Sequence, residues 1–238
     1  MNTRKPVLLL VLSLIVAAGC VRLGLWQLSR LSQRRARNTV ARAGLAAPAV
    51  DLSSAPADSV ARFRAVRAHG VFDFSREVAL SGRPRDGAPG ADIATPLLLA
   101  EHDAAVLVVR GWVYSPDAAS VDFARWHERD SAVVEGYALP FDPDAPAPIA
   151  PSDSSRAVRR LDHAQLEHRL GIRLAPFYLV MTSGVRPGDS VPQRLGPPVL
   201  DEGPHMSYAI QWFFFAAIFG VGGTVVVLRA NRRSSAVD

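Results

Sequence analysis

From Tyr208 to Leu228 the chain carries no charged side chain. As a helix rising about 1.5 Å per residue, this stretch reaches about 31 Å, which matches a hydrocarbon core roughly 30 Å thick. Lipid offers the backbone no hydrogen-bond partners, so a single crossing segment must be helical. A second apolar run, Pro6 to Val21, lies near the start and is shorter. It crosses a membrane if the helix continues past Arg22 through Leu23-Gly24-Leu25-Trp26, with Arg22 snorkelling and Trp26 at headgroup level. Two other readings compete for this segment. Arg4 and Lys5 followed by apolar and small residues also describe a secretory leader. Ala17-Ala18-Gly19-Cys20 resembles a lipoprotein box with Cys20 acylated, although Ala17 stands where Leu is commonest and the apolar pattern runs on past Cys20.

Subtracting two spans from 238 residues leaves one extramembrane domain of ordinary size. Cys20 is the only cysteine, so that domain has no internal disulfide and must be held by its core. A thiol-pair redox site and a multi-cysteine metal site are excluded on the same count. Metal chemistry would have to use His, Met or carboxylates. The net charge of +5 rests almost wholly on arginine, with Lys5 the sole lysine. Its one dense run, Arg30, Arg34, Arg35, Arg37 and Arg42, follows the first span, where anionic lipid is the simplest partner. Nucleic acid is set aside as a partner.

Arg229, Arg232 and Arg233 follow the second span, and only Arg194 lies within about fifteen residues before it, which places the C-terminus in the cytoplasm. Two spans then put the N-terminus there too, with the middle of the chain outside. The first span argues the other way, because the arginines after it outnumber Arg4 and Lys5. The second span decides, since the arginines after Trp26 belong to a continuing helix: Trp26 to about Ala43 contains neither Gly nor Pro apart from the break that follows at Pro48 and Pro56. The expected organisation is an N-terminal transmembrane helix at 1–28, an extracytoplasmic domain at 29–204, a C-terminal transmembrane helix at 205–229 and a cytoplasmic tail at 230–238.

Within the domain, short β-rich segments run from Phe63 to His69, Glu77 to Leu80, Thr95 to Leu99, Ala105 to Val113, Ala132 to Leu139 and Phe177 to Thr182. Gly70, Gly82, Gly87-Ala88-Pro89-Gly90 and Ser115-Pro116 punctuate them. The unbroken apolar run Ala105 to Val109 suits a strand buried on both faces. Phe141 to Pro151 reads as a stiff proline-rich loop. One soluble helix follows: Asp162 can cap it, Leu166 and Leu170 share a face, and Gly171 can end it. The fold class is an α+β membrane protein, with two transmembrane helices flanking a mostly antiparallel β extracytoplasmic domain that carries one short helix.

Four phrases resemble the Surfeit-locus-one family of cytochrome c oxidase assembly factors, including its bacterial members. They are Gly24-Leu25-Trp26-Gln27-Leu28-Ser29-Arg30; Arg64-Ala65-Val66 leading to Gly70-Val71-Phe72; Thr95-Pro96-Leu97 followed by Val106 to Val109 and Arg110-Gly111-Trp112-Val113; and His205 with Tyr208-Ala209 and Trp212. The chain departs from the family pattern at Pro204, where Asn is frequent, at Val109, where Asn is common, and in lacking a Lys after Arg30. The resemblance implies a multi-pass protein of the bacterial plasma membrane, a chaperone of respiratory-chain biogenesis that serves a haem-copper oxidase. It implies that haem a, with haem b the alternative cargo, is bound and passed to oxidase subunit I. Haem a synthase and other assembly factors are further partners on this reading. It also maps the haem iron's axial ligand onto His205.

The residues bear on this independently. His205, Tyr208, Ala209 and Trp212 have the i, i+3, i+4, i+7 spacing of one helix face, and small Ala209 would let a flat macrocycle approach between two aromatics. Arg22, Trp26 and Arg30 recur every four residues; arginine suits propionates because its fork binds carboxylates in pairs. The candidate cofactor-binding residues are therefore His205, Trp26, Arg30, Tyr208 and Trp212, with Arg22 beside them. Against this stands the plain reading of His205 as one more interfacial residue, and of Arg30 as a lipid-phosphate contact. Arg110-Gly111-Trp112 reads as structural, with Gly for close backbone approach, or as a membrane-facing element near the cofactor. His69, His102, His127, His163 and His168 lack ligand spacing and read as surface or turn residues. No nucleophile elbow, phosphate loop or His-Glu-x-x-His helix is present, so an enzyme is not expected. The alternative is a membrane-tethered structural partner of an oxidase subunit that does not itself hold haem.

Overall fold

A computed structural model describes residues 4–53, 60–100, 103–128, 131–141, 156–183 and 191–234. The chain divides into two compact units, one made of Met1–Val40 with Leu200–Asp238 and the other of Ala41–Val199.

The first unit is a helix pair. Helix α1 is Arg4–Ala46 and helix α3 is His205–Ser234; α2, His163–Leu170, belongs to the second unit. Both are long and apolar enough to cross a membrane, over Val7–Ala46 and His205–Arg229. Almost none of their apolar surface is covered: Leu8, Ile15, Ile210, Phe214 and Val221 are all more than half exposed. Apolar surface on this scale is tolerated by lipid and not by water. The helices meet along a seam of small residues. On α1 the seam runs through Ser13, Ala17, Cys20, Gly24, Gln27 and Leu31, the three- and four-residue steps of one helix face. The Ser13 hydroxyl donates to the Phe219 carbonyl, a Cβ on Gly24 would stand 2.7 Å from the Phe213 ring, and one on Gly223 would stand 2.6 Å from Ser13 Oγ. Small side chains let the two backbones approach, which is how helices associate where no hydrophobic force drives them. Residues 13, 24 and 27 meet 219, 213 and 205 in turn, so the helices are antiparallel.

Among its described residues the second unit has eight strands: β1 Val50–Asp51, β2 Ala65–Phe72, β3 Val78–Leu80, β4 Gly90–Leu98, β5 Ala105–Tyr114, β6 Ser131–Pro140, β7 Ala157–Val158 and β8 Leu174–Met181. Their order is β1-β2-β6-β8-β5-β4-β3-β7, and β2 also pairs with β4 through Val71↔Leu98 and Phe72↔Leu97. That extra pairing closes β2, β6, β8, β5 and β4 into a ring, which removes their free edges. All five contribute to one interior cluster that includes Val66, Ala68, Leu97, Val106, Val108, Val134, Leu179 and Met181. Alternate residues of β5 point outward, where Leu107 and Val109 pack with Leu166 and Leu170 of helix α2, His163–Leu170. Strand β5 is therefore buried on both faces, as its unbroken apolar run predicts. Helix α2 starts at the expected cap, with Asp162 accepting from the Gln165 N–H at 2.9 Å, and ends at Gly171 in the left-handed region.

The α+β class and the two flanking apolar helices agree with the sequence reading. The described pairings are mostly antiparallel, as expected, with β5–β8, β1–β2 and β3–β7 pairing in parallel. Strand β4 begins at Gly90 and β2 runs through Gly70, both read as punctuation from the sequence. Gly70 lies where a Cβ would strike the Leu98 carbonyl at 2.4 Å, so it marks the ring closure rather than a strand end. Apart from Phe141, the proline-rich segment expected up to Pro151 lies outside the described residues, as do Pro56 and His102.

Candidate functional site

His205 is the first residue of α3, and the strap that leads into it is tied to α1 by a run of polar contacts within the helix pair. The Arg35 guanidinium donates to both Glu202 carboxylate oxygens at 2.8 Å, and Arg34 bonds the Asp201 carboxylate and carbonyl, each at 3.2 Å. Asn38, 4 % exposed, donates to the Asp201 carbonyl at 2.7 Å. These bonds hold the strap in register just before Gly203 turns it with φ +67, a conformation that glycine adopts without the steric cost other residues incur.

The turn delivers the imidazole to Gln27. His205 Nδ1 lies 2.9 Å from Gln27 Oε1, so Nδ1 carries the proton and donates to the amide oxygen. This assignment leaves the Nε2 lone pair outside the pair. A Cβ on Gly203 would stand 3.7 Å from Nε2, ordinary contact, so the bare glycine leaves space there. A ring whose one nitrogen is fixed by a protein acceptor and whose other nitrogen holds a lone pair is the form in which histidine ligates metals. The chemistry of this donor fits an axial ligand of haem iron. Among the described residues no group of three His, Cys, Asp or Glu side chains assembles, so a bare ion held by several protein ligands has no site of that kind there.

The remaining sequence candidates divide. Tyr208 is about half exposed on the first turn of α3, and Trp212 is half-buried, its ring edge-on to Phe215 at 6.1 Å. Ala209 is 1 % exposed, because it lies on the stripe of α3 between His205 and Phe213 that faces α1. It is part of the seam and not an opening between two aromatics. Trp26 and Arg30 are exposed and sit away from that seam; at about 100° per residue, Trp26 is roughly 200° around α1 from Gly24. Arg30 bonds Gln33 on its own helix at 3.1 Å. Arg22 is likewise exposed on that outer face. The structure thus brings Gln27 to His205 and does not bring Trp26 or Arg30 there. Gln27 was not selected from the sequence although it sits in the Trp-Gln phrase. The signal was its spacing of three from Gly24 and four from Leu31, the face that packs on α3.

In the second unit Arg110-Gly111-Trp112 is structural. Arg110 is 0 % exposed and pairs with Glu77, also buried, through Nη2 to Oε1 at 2.6 Å. Its Nε donates to Thr95 Oγ1 at 2.8 Å, and its Nη1 to the Trp126 carbonyl at 2.7 Å and Glu128 Oε1 at 2.9 Å. Arg194 closes the network on Glu128 and on the Arg110 carbonyl. Gly111, at φ +154, packs where a Cβ would lie 2.5 Å from the Gln193 carbonyl, and Trp112 Nε1 donates to the Arg83 carbonyl. His127 is exposed, as the sequence reading expects, and also partnered: its Nε2 lies 2.9 Å from Glu77 Oε2 and its ring stacks on Phe74 at 4.3 Å, so it caps the buried network from the surface.

The SURF1 family matches residues 14–217. A SURF1-like protein of Rickettsia felis is 25 % identical over 207 residues, covering 85 % of this chain and 89 % of that protein. One from Rickettsia bellii is 25 % identical, covering 98 % and 92 %, and an uncharacterized SURF1-like protein of Mycobacterium bovis is 28 % identical, covering 89 % and 80 %. With the family match running from within the first apolar helix to within the last, the chain belongs to the SURF1 family, the Surfeit-locus-one group of cytochrome c oxidase assembly factors.

Proposed function

We propose that this protein accepts haem a at the polar end of its helix pair and hands it to oxidase subunit I. His205 bonds the iron through Nε2, and Tyr208 and Trp212 lie beside the macrocycle. On this reading both helices cross the bacterial plasma membrane, both termini are cytoplasmic and the barrel stands on the outer face. The antiparallel pairing of α1 and α3 supports termini on one side, and the arginines after α3 support the cytoplasmic side. Trp26 and Arg30, on the outer face of α1, serve as interfacial anchors or meet the cargo from that side. No covalent step is required: the protein contributes a ligand, an orientation and a place to wait.

The observation that carries the reading is the 2.9 Å bond between His205 Nδ1 and Gln27. An interfacial histidine with no metal role has no need of a fixed tautomer, whereas a ligand does. The test is the visible spectrum of the protein purified in detergent from cells that make haem a, beside the His205→Ala variant. A reduced haem a band in the parent, lost in the variant at equal protein yield, is expected. An equal band in both proteins would remove His205 from the iron, and no band in either would favour a structural partner of the oxidase.

A further inference from the structure

Four arginines line one cavity of the second unit. The cavity measures about 530 Å³ and is lined by Arg62, Arg83, Arg159, Arg160, Phe141 and Tyr178, with leucines beneath. The sheet register explains the convergence. Strands β3 and β7 run parallel with Leu80 opposite Val158, so the chain leaves both strands at the same end. Arg83 follows one strand and Arg159-Arg160 the other, while the Ser81 N–H bonds the Val158 carbonyl at 2.8 Å and keeps the two exits together. Arg62 arrives from the turn before β2, which is held to the end of β6 by the Phe63 N–H on the Ala138 carbonyl. Three separated stretches of chain thus deliver positive charge to one concavity.

Among the described residues no acidic side chain lines the cavity, and Arg83 pairs with Asp92 at 3.8 Å. Among the described residues Arg159 and Arg160 have no carboxylate within ion-pair distance. An anion seated among the four arginines would relieve their mutual repulsion. The volume suits a small ligand, and planar guanidinium forks match phosphate oxygens in pairs.

We infer that this cavity is a binding site for a phosphate-bearing ligand with two or more negative charges or an anionic headgroup. It is separate from His205 and does not depend on haem. The phosphate can belong to a soluble polyphosphate or to a lipid headgroup, and the experiment distinguishes them. The full chain in neutral detergent is titrated calorimetrically with inorganic pyrophosphate and, separately, with dihexanoyl phosphatidylglycerol below its micelle concentration. The same titrations are run on Arg159→Gln/Arg160→Gln and on Arg125→Gln/Arg173→Gln, which removes two positive charges away from the cavity. Thermal melting establishes that both variants are folded. Saturable binding of either probe, weakened tenfold or more in the cavity variant and unchanged in the control, sustains the inference and names the source of the phosphate. No saturable binding of either probe, or equal weakening in both variants, overturns it.

Discussion

Gln27 Oε1 accepts a hydrogen bond from His205 Nδ1 at 2.9 Å across an interval of 178 residues. The bond joins two helices and sets the tautomer of the imidazole. Removing the acceptor with Gln27→Leu leaves the ring in place but free to rotate. On the proposed role of His205 as a haem ligand, the expected result is haem affinity lowered roughly 10–100-fold, the usual cost of losing the group that orients a metal ligand. Gln27→Glu supplies a stronger acceptor and is expected to lower the midpoint potential of bound haem. Spectrophotometric titration and redox titration check the two, and unchanged values in both variants would make the Gln27 bond a mere helix contact.

Arg110 and Glu77 form an ion pair with both side chains at 0 % exposure. Removing Arg110 leaves the buried Glu77 carboxylate without its cationic partner in the barrel wall, with only Thr95 and the partly exposed His127 beside it, so Arg110→Met is expected to destabilise the protein by about 3–5 kcal/mol. Arg110→Met with Glu77→Leu is expected to recover part of the loss, because no unpaired charge then remains. Denaturant unfolding in detergent measures both; equal stability of the parent and the single variant would contradict the assignment.

Gly24 lies where a Cβ would stand 2.7 Å from the Phe213 ring. Gly24→Val therefore forces the ring or the helix to move. The expected outcome is a lower melting temperature, partly restored by Phe213→Ala, which vacates the space. A second-site rescue of this kind separates packing at the seam from a loss of helix propensity, which Phe213→Ala cannot repair.

Asp117 accepts hydrogen bonds from the Ser115 and Ser120 hydroxyls and from the Ala119 and Ser120 amides. The Ser120 hydroxyl and amide lead in holding its carboxyl well below the ordinary carboxylate value of 3.8. The unfolded chain therefore takes up this proton first as pH falls. The stabilisation is present at neutral pH and fades as pH drops below the ordinary carboxylate range. Asp92 runs the other way: burial raises its pKa despite Arg83 and Arg85, so its contribution is lost as pH rises above 3.8. Melting curves from pH 3 to 7 should show Asp117→Ala converging on the parent toward the acid end, and Asp92→Asn gaining on the parent toward neutral pH.

The elements of this protein were legible where a local pattern sufficed. The span at Tyr208–Leu228 follows from an uninterrupted apolar run, α2 from its Asp162 cap and Gly171 stop, and β5 from residues apolar on both faces. The short strands β1 and β7 left no signal, because two-residue strands exist only through their partners β2 and β3. The start of β4 at Gly90 and the passage of β2 through Gly70 were hidden for a related reason: glycine marks turns in most contexts, and only the neighbour across the ring shows that it is needed for close approach.

The site shows the same division. Sequence alone determined that a histidine stands at the mouth of an apolar helix, that the fold must hold without disulfides, and that arginine dominates its charge. Which helix face meets which was decided only by the tertiary structure. A four-residue repeat placed Arg22, Trp26 and Arg30 together, but whether that row faces α3 depends on where the small residues Ala17, Cys20 and Gly24 allow the backbones to close. Packing chose the small-residue face, so Gln27 meets His205 while Trp26 and Arg30 look outward. Hydrophobicity is additive along a chain and can be read from it; the azimuth of one helix against another is a property of the pair, and neither sequence segment contains it.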